Sequence, residues 1–336
     1  MTPRPAASPI RLRVRAIAEA KPGPVLGAVL NAYWPAYRRW IARADPLTAG
    51  ACRDLIARHM PELAPVLERI AALGPEKDRD KLVRFLSLYR PPRVVRGCSQ
   101  AILRTTEGPV LVRNYDHAPH LCDGIVLASS WLGTRVVAVT DCLWGALDGI
   151  NEHGLAVALA FGGRPDTGDG FGAQLVVRYL LETCRTTAQA RAALDRLPVS
   201  MPYTFVILDR AGDFTTAFCG PGRPARFEHD NASTNHQGAV EWPAYAAHCQ
   251  TVERLDRIRD LLTSQDPRDA EDAFLRPPLY RTDYARASGT LYTSVYRPAA
   301  GTLTLRWPGQ EAAFGIDHFE PSDRTVTIGT PQPAGT

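Results

Sequence analysis

The sequence predicts an α+β protein, with antiparallel sheets covered by separate groups of helices. Three observations carry this reading. Apolar residues at helical spacing occupy the early part of the chain, and short apolar runs joined by tight turns follow. A pair of helices then interrupts those runs once before strands return.

Residues 26–86 read as helices. In LGAVLNAYWPAYRRWIARA, Val29, Leu30, Trp34, Tyr37 and Ile41 recur at steps of three and four, with Pro35 as a kink or boundary. ACRDLIARHM, ELAPVLERIAAL and KDRDKLVRFLSLY continue the amphipathic pattern. The linker YRPPRVVRG ends it, because adjacent prolines cannot continue a helix and push the preceding residue into extended geometry. After Gly97 the chain reads as hairpins. SQAILR and PVLVRNYD flank TTEG, GIVLASSW and RVVAVTD flank Leu132–Gly133, and WGALDGIN and LAVALAF flank Glu152–His153–Gly154. GAQLVVRYLLETC and TAQARAALDRL are helical. Strands return in YTFVILD and FTTAFC, with Gly212 in their turn; CQTVERLDRIRDLL reads as another helix, and GTLYTSVYRP with TLTLRW as a last hairpin.

Composition excludes several classes of function. A chain of 336 residues that is 45% hydrophobic can bury a large core without a disulfide framework. Its net charge of +4 comes from 39 basic and 35 acidic residues, the arginines mostly single, so no nucleic-acid partner is expected. No apolar run approaches the roughly 18 residues of a membrane span, so no membrane partner is expected either. Arginines interrupt the apolar stretch of MTPRPAASPIRLRVRAIAEAKPG, which therefore does not read as a signal peptide. Seven widely spaced cysteines without a C-x-x-C pair argue against a zinc ribbon or a disulfide scaffold, and fit a reducing cytoplasm. Apart from Cys98, they read as core or incidental.

The hairpin beginning at Cys98 carries the chemistry. Gly97–Cys98–Ser99 follows the proline-rich linker, and Arg113–Asn114–Tyr115–Asp116 comes fifteen residues after the cysteine. If these segments pair, their ends lie side by side and bring Arg113 and Asp116 to the thiol. Positive charge favours a thiolate, and a carboxylate can hold an adjacent amine.

GCSQA, VRNYD and DGINEHGL, in this order and spacing, resemble the acyl-coenzyme A:6-aminopenicillanic acid acyltransferase family of self-cleaving cysteine enzymes, over residues 90–310. Choloylglycine hydrolases and acid-ceramidase-like amidases are more distant relatives with the same layout. The resemblance implies a four-layer αββα sandwich of the N-terminal-nucleophile hydrolase type. It implies a helical prosegment, residues 1–97, that stays bound after cleavage between Gly97 and Cys98, and a catalytic domain over residues 98–336. Cys98 matches the nucleophile, Arg113 the arginine beside the thiol, Asp116 the aspartate that binds the new α-amino group, and Asn235 the oxyanion donor. The substrate implied is a small-molecule acyl amide or acyl thioester, with no cofactor and no metal. Two positions depart from a simple transfer. LAVALAF lacks the asparagine of choloylglycine hydrolases, which leaves the second oxyanion donor unassigned, and both Arg297 and Arg306 are candidates for the family's late arginine.

Other readings compete. An uncleaved, non-catalytic binding protein of the same fold is the alternative function. His117, His120 and Cys122 have metal-ligand spacing but read as a loop wall. FGGRPDTGDGFG lacks the Gly-Lys-Ser/Thr of a P-loop and reads as a mobile loop near the substrate.

Overall fold

The computed structural model describes residues 9–44, 47–95, 97–263 and 267–329. Strand β1 (Ile10–Ala18) precedes four helices, α1 (Pro24–Ile41), α2 (Ala49–His59), α3 (Ala64–Ala72) and α4 (Arg79–Ser87). Six strands follow the linker: β2 (Gly97–Thr105), β3 (Gly108–His117), β4 (Ile125–Ser129), β5 (Val136–Asp141), β6 (Gly145–Asn151) and β7 (Ala156–Phe161). The helix pair α5 (Ala173–Thr183) and α6 (Thr187–Arg196) leads to β8 (Tyr203–Leu208), β9 (Phe214–Gly220), β10 (Arg223–Glu228) and the short β11 (Ala232–Ser233). Helices α7 (Pro243–Cys249), α8 (Thr251–Leu262) and α9 (Pro267–Ala273) come next. The chain closes with β12 (Thr282–Asp283), β13 (Ser288–Arg297), β14 (Thr302–Trp307), β15 (Gln310–Gly315) and β16 (Ser322–Ile328).

Two sheets result. One has nine strands in the order β10-β9-β8-β7-β6-β5-β4-β1-β16; the other runs β11-β2-β3-β13-β14-β15, with β12 added beside β13. The mixed helix-and-sheet class follows the sequence reading, and the alternation of side chains along each strand sorts the core. Ile102, Leu111, Val139, Ile150 and Val206 fill the space between the sheets. Helices α1–α6 pack their apolar faces on the outer side of the nine-stranded sheet, against Val157, Leu159 and Phe205. Leu255, Ile258 and Phe274, from α8 and just past α9, cover Ala101, Leu103 and Val112 on the outer side of the other sheet.

Ahead of the helices read over residues 26–86, the chain also contributes a strand. In IRLRVRAIA, Leu12, Val14 and Ala16 are buried and alternate with arginines. β1 pairs antiparallel with β16 and parallel with β4, so it lies inside the nine-stranded sheet. β15 and β16 extend the sheets past the hairpin that the sequence reading took as the last.

Candidate active site

β2 and β3 pair with Gly97 opposite Asp116, Cys98 opposite Tyr115 and Gln100 opposite Arg113. Strand parity then decides which face each side chain takes. Cys98 and Tyr115 belong to the core between the sheets, and Arg113, two residues from Tyr115, points the same way. Asp116 has the opposite parity and faces α8. Arginine and aspartate therefore flank the start of β2 from opposite sides of the strand pair rather than standing together beside the thiol.

On the inner face, the Cys98 thiol is fully buried and Arg113 Nη2 lies 3.4 Å from its sulfur. Burial pushes the thiol pKa up, and the Arg113 guanidinium opposes that shift. Arg113 is itself held from all sides. Its Nε donates to the Leu159 carbonyl at 3.0 Å, Nη1 donates to the Tyr292 hydroxyl at 3.0 Å, and Nη1 pairs with Asp148. The guanidinium also sits 4.8 Å from the Tyr115 ring centroid. Asp148 in turn accepts hydrogen bonds from the hydroxyls of Tyr292 and Tyr296. A buried arginine with this many partners cannot swing away, so a fixed positive charge stands beside the sulfur.

On the other face, Asp116 lies against Gly97. A Cβ on Gly97 would stand 3.0 Å from both the Cβ and Oδ2 of Asp116, so glycine is what lets the carboxylate approach the backbone here. Asp116 Oδ1 accepts from the Thr290 hydroxyl at 2.7 Å, while Oδ2 accepts no hydrogen bond and is 3.7 Å from Arg254 Nη1. Burial raises the Asp116 pKa above the usual carboxylate value, against the pull of Arg254 and Thr290.

Asn235 arrives from the loop after β11, which passes the chain just beyond the end of β7 at Gly162–Gly163. Gly163 has φ +77°, and a Cβ there would stand 2.1 Å from the Asn235 carbonyl oxygen, so only glycine permits the crossing. Asn235 Nδ2 donates to the Phe161 carbonyl at 3.0 Å, and Oδ1 accepts from the Cys98 backbone N–H at 2.9 Å and from Arg254 Nη2 at 2.7 Å. The Thr251 hydroxyl accepts from the Asn235 backbone N–H at 2.7 Å.

The structure thus gathers Gly97, Cys98, Arg113, Asp116 and Asn235 at one end of β2. It adds two residues that the sequence reading missed. Arg254 is fully buried on α8 and donates to the Cys98 carbonyl, to the Ser99 hydroxyl at 2.8 Å and to Asn235. Asp148 anchors Arg113. Arg297 and Arg306, the two candidates for a late arginine, instead pair with Glu271 and Asp272, away from Cys98. His117 is buried and its ring packs on Tyr115, while His120 is exposed. Among the described residues, no group of three or more His, Cys, Asp or Glu side chains is placed to hold a metal ion. No helix among them is long and apolar enough to cross a membrane.

No curated protein matches the sequence. Among solved structures, penicillin V acylase from Agrobacterium tumefaciens is 14% identical, over 65% of this chain and 84% of that one, with a TM-score of 0.44. A mutant conjugated bile acid hydrolase from Clostridium perfringens is 13% identical, over 68% and 96%, with a TM-score of 0.41. An N-acylethanolamine-hydrolyzing acid amidase ortholog from Caenorhabditis elegans is 16% identical, over 60% and 93%, with a TM-score of 0.44. The family model for acyl-coenzyme A:6-aminopenicillanic acid acyl-transferase matches residues 103–312, a span that begins within β2, five residues after Cys98. Because that match takes in more than half of the chain, the protein belongs to the acyl-coenzyme A:6-aminopenicillanic acid acyl-transferase family, enzymes of acyl transfer at amide bonds.

Proposed function

We propose that this chain cuts itself between Gly97 and Cys98 and then uses the freed cysteine to break or transfer an acyl group held in an amide. The observation that carries the reading is the environment of Cys98: a fixed guanidinium at its sulfur, and at its nitrogen an acceptor from Asn235 and a nearby carboxylate.

In the cleavage step, the Cys98 thiol adds to the Gly97 carbonyl. The carbon–nitrogen bond breaks, the nitrogen takes up the proton, and a thioester remains. Water hydrolyses it, leaving a carboxylate on Gly97 and a thiol and α-amine on Cys98. The amine appears where the Cys98 N–H now donates to Asn235 Oδ1, beside the space that Gly97 leaves next to Asp116. An ammonium there can donate to Asp116 Oδ2, which accepts no hydrogen bond in the uncut chain. With a reference pKa of roughly 7.7–8.0, the amine can accept the thiol proton near neutrality. The thiolate attacks the substrate carbonyl, and the Nδ2 end of Asn235 is the side that can donate to the oxyanion. Expulsion of the protonated amine leaves an acyl-enzyme, which water or a second amine resolves.

Residues 1–97 remain bound in this proposal. β1 lies between β4 and β16, and Tyr33 and Tyr37 on α1 both donate to Asp123, on the far side of the cut. The Trp144 indole donates to the Leu86 carbonyl at 2.9 Å.

Intact-mass analysis tests the proposal. Wild-type protein should separate under denaturing conditions into residues 1–97 and 98–336, and Cys98→Ala should stay whole. A wild-type chain that remains single while hydrolysing amides would overturn it.

A further inference from the structure

Cys98, Arg113, Asp116 and Arg254 all stand on strands or helices, whereas Asn235 stands on a loop, so contacts from outside its own segment have to hold it. The first turn of α8 grips it at two points. Arg254 Nη2 donates to its Oδ1 at 2.7 Å, and the Thr251 hydroxyl accepts from its backbone N–H at 2.7 Å. The Thr251 side chain is buried, and its hydroxyl has two further neighbours, Thr234 Oγ1 at 2.8 Å and His236 Nδ1 at 2.9 Å. Thr234 Oγ1 also lies 2.8 Å from the Thr251 carbonyl oxygen, to which it can donate.

Counting protons decides how these bonds run. Three contacts link Thr234, Thr251 and His236: hydroxyl to carbonyl, hydroxyl to hydroxyl, and hydroxyl to Nδ1. The two hydroxyls carry one proton each, so the third has to come from Nδ1. With Nδ1–H present, Thr234 donates to the Thr251 carbonyl and Thr251 donates to Thr234. The Thr251 oxygen then accepts from both His236 and Asn235. With Nδ1 bare, one of the three short contacts is left as two facing lone pairs in a buried place, which is costly. The ring is half-buried. Burial lowers its pKa, Arg259 and Arg254 lower it further, and Asp256 opposes them. A neutral ring with its proton on Nδ1 leaves Nε2 bare.

Resting on the reading of Asn235 as the oxyanion donor, we propose that His236 is a positioning residue for it, a neutral imidazole protonated at Nδ1 that turns the lone pairs of the Thr251 hydroxyl toward the Asn235 backbone N–H. Without that donor the hydroxyl can rotate its own proton away from Thr234, and the Asn235 backbone loses a fixed acceptor. Arg254 alone then aims the side chain.

Two measurements test this. The first is nitrogen NMR of the uncut Cys98→Ala chain labelled in histidine, with the His236 signals identified by their loss in His236→Asn. Nδ1 should show the shift of a protonated ring nitrogen and Nε2 that of a bare one at neutral pH; the opposite pattern overturns the proposal. The second is acylation of cut protein by p-nitrophenyl butyrate, in which the Cys98 thiolate adds to the ester carbonyl, p-nitrophenolate leaves and a thioester forms, followed by intact mass. His236→Ala should lower the saturating acylation rate by about tenfold at an unchanged half-saturating concentration, whereas His236→Asn, whose amide N–H can replace Nδ1–H, should stay within about threefold of wild type. In a Thr251→Val chain, His236→Ala should cause no further loss, because it acts through that hydroxyl. A wild-type rate in His236→Ala, equal losses in the Ala and Asn variants, or a full further loss in the Thr251→Val chain would each overturn it. Asn235→Ala acylating at the wild-type rate would instead overturn the oxyanion reading, and the NMR pattern would still decide the proton placement by itself.

Discussion

The two faces of the β2–β3 pair differ in how completely their charges are satisfied. Between the sheets, Arg113 has a carboxylate, a carbonyl, a hydroxyl and an aromatic ring around it, and Asp148 is shared with two tyrosines. On the helix side, Asp116 has one hydrogen bond, an oxygen without one and an arginine 3.7 Å away. The first arrangement holds a charge still. The second has spare capacity at the position where the proposed cleavage creates a cation. One face is built to be permanent, and the other to change state once.

The largest test of that contrast is Asp148→Ala, made in a Cys98→Ala chain so that cleavage does not intrude. It leaves the buried Arg113 without its carboxylate, and should cost about 3–5 kcal/mol in denaturant unfolding. A loss as small as that of a surface substitution would mean that the arginine is not locked. Next comes Asn235→Ala, which removes the acceptor for the Cys98 nitrogen together with the proposed oxyanion donor. Turnover by pre-cut enzyme should fall by about 10²–10³, as read from single-turnover rates; near-wild-type rates would reduce Asn235 to a loop residue.

Asp116→Asn should preserve the fold but lower turnover by roughly a hundredfold and shift the pH–rate profile, because the amine loses its counter-charge. The uncut chain offers a second readout. Burial raises the folded-state pKa of Asp116, so its contribution is fully present below the unfolded carboxylate pKa of about 4 and is lost as pH rises through the higher folded value. Cys98→Ala protein should therefore lose some stability across that window, and adding Asp116→Asn should flatten the loss. Identical pH dependence in the two would contradict the assignment. The smallest effect belongs to Thr290→Val, which deletes the single hydrogen bond to Asp116. It should cost about 1 kcal/mol and push the Asp116 pKa further up, visible as a shift in the same titration.

The sequence made much of this site legible because a hairpin is a local structure. Once Cys98 and the RNYD segment are assigned to paired strands, their proximity follows from turn length alone. Parity was the part the expectation overlooked: three positions separate Arg113 from Asp116, an odd number, so the two take opposite faces instead of both standing at the thiol. Arg254 was harder. Its neighbours in TVERLDRIRDLL are mostly charged and exposed, yet it falls three residues after Thr251 and four before Ile258, on the buried stripe of the helix. Asp148 offered a plainer signal, a lone acid inside WGALDGIN, where every residue of β6 is buried. β1 showed strict alternation in IRLRVRAIA, but those arginines were weighed only as interruptions of an apolar run. Pro91 and Met201 line the same small void although far apart in sequence, and no local pattern encodes that approach.

The position of β1 also has a consequence for how the chain is made. Its partner β16 reaches it across an enormous loop; the Arg13–Asp323 pair spans 310 residues of sequence. During synthesis β1 emerges long before β16, and one of its edges stays open until β16 has left the ribosome. Contacts so remote in sequence form slowly, and an open strand edge invites pairing with other nascent chains. Trimming residues 322–328 should therefore depress soluble yield far more than it alters the chemistry at Cys98.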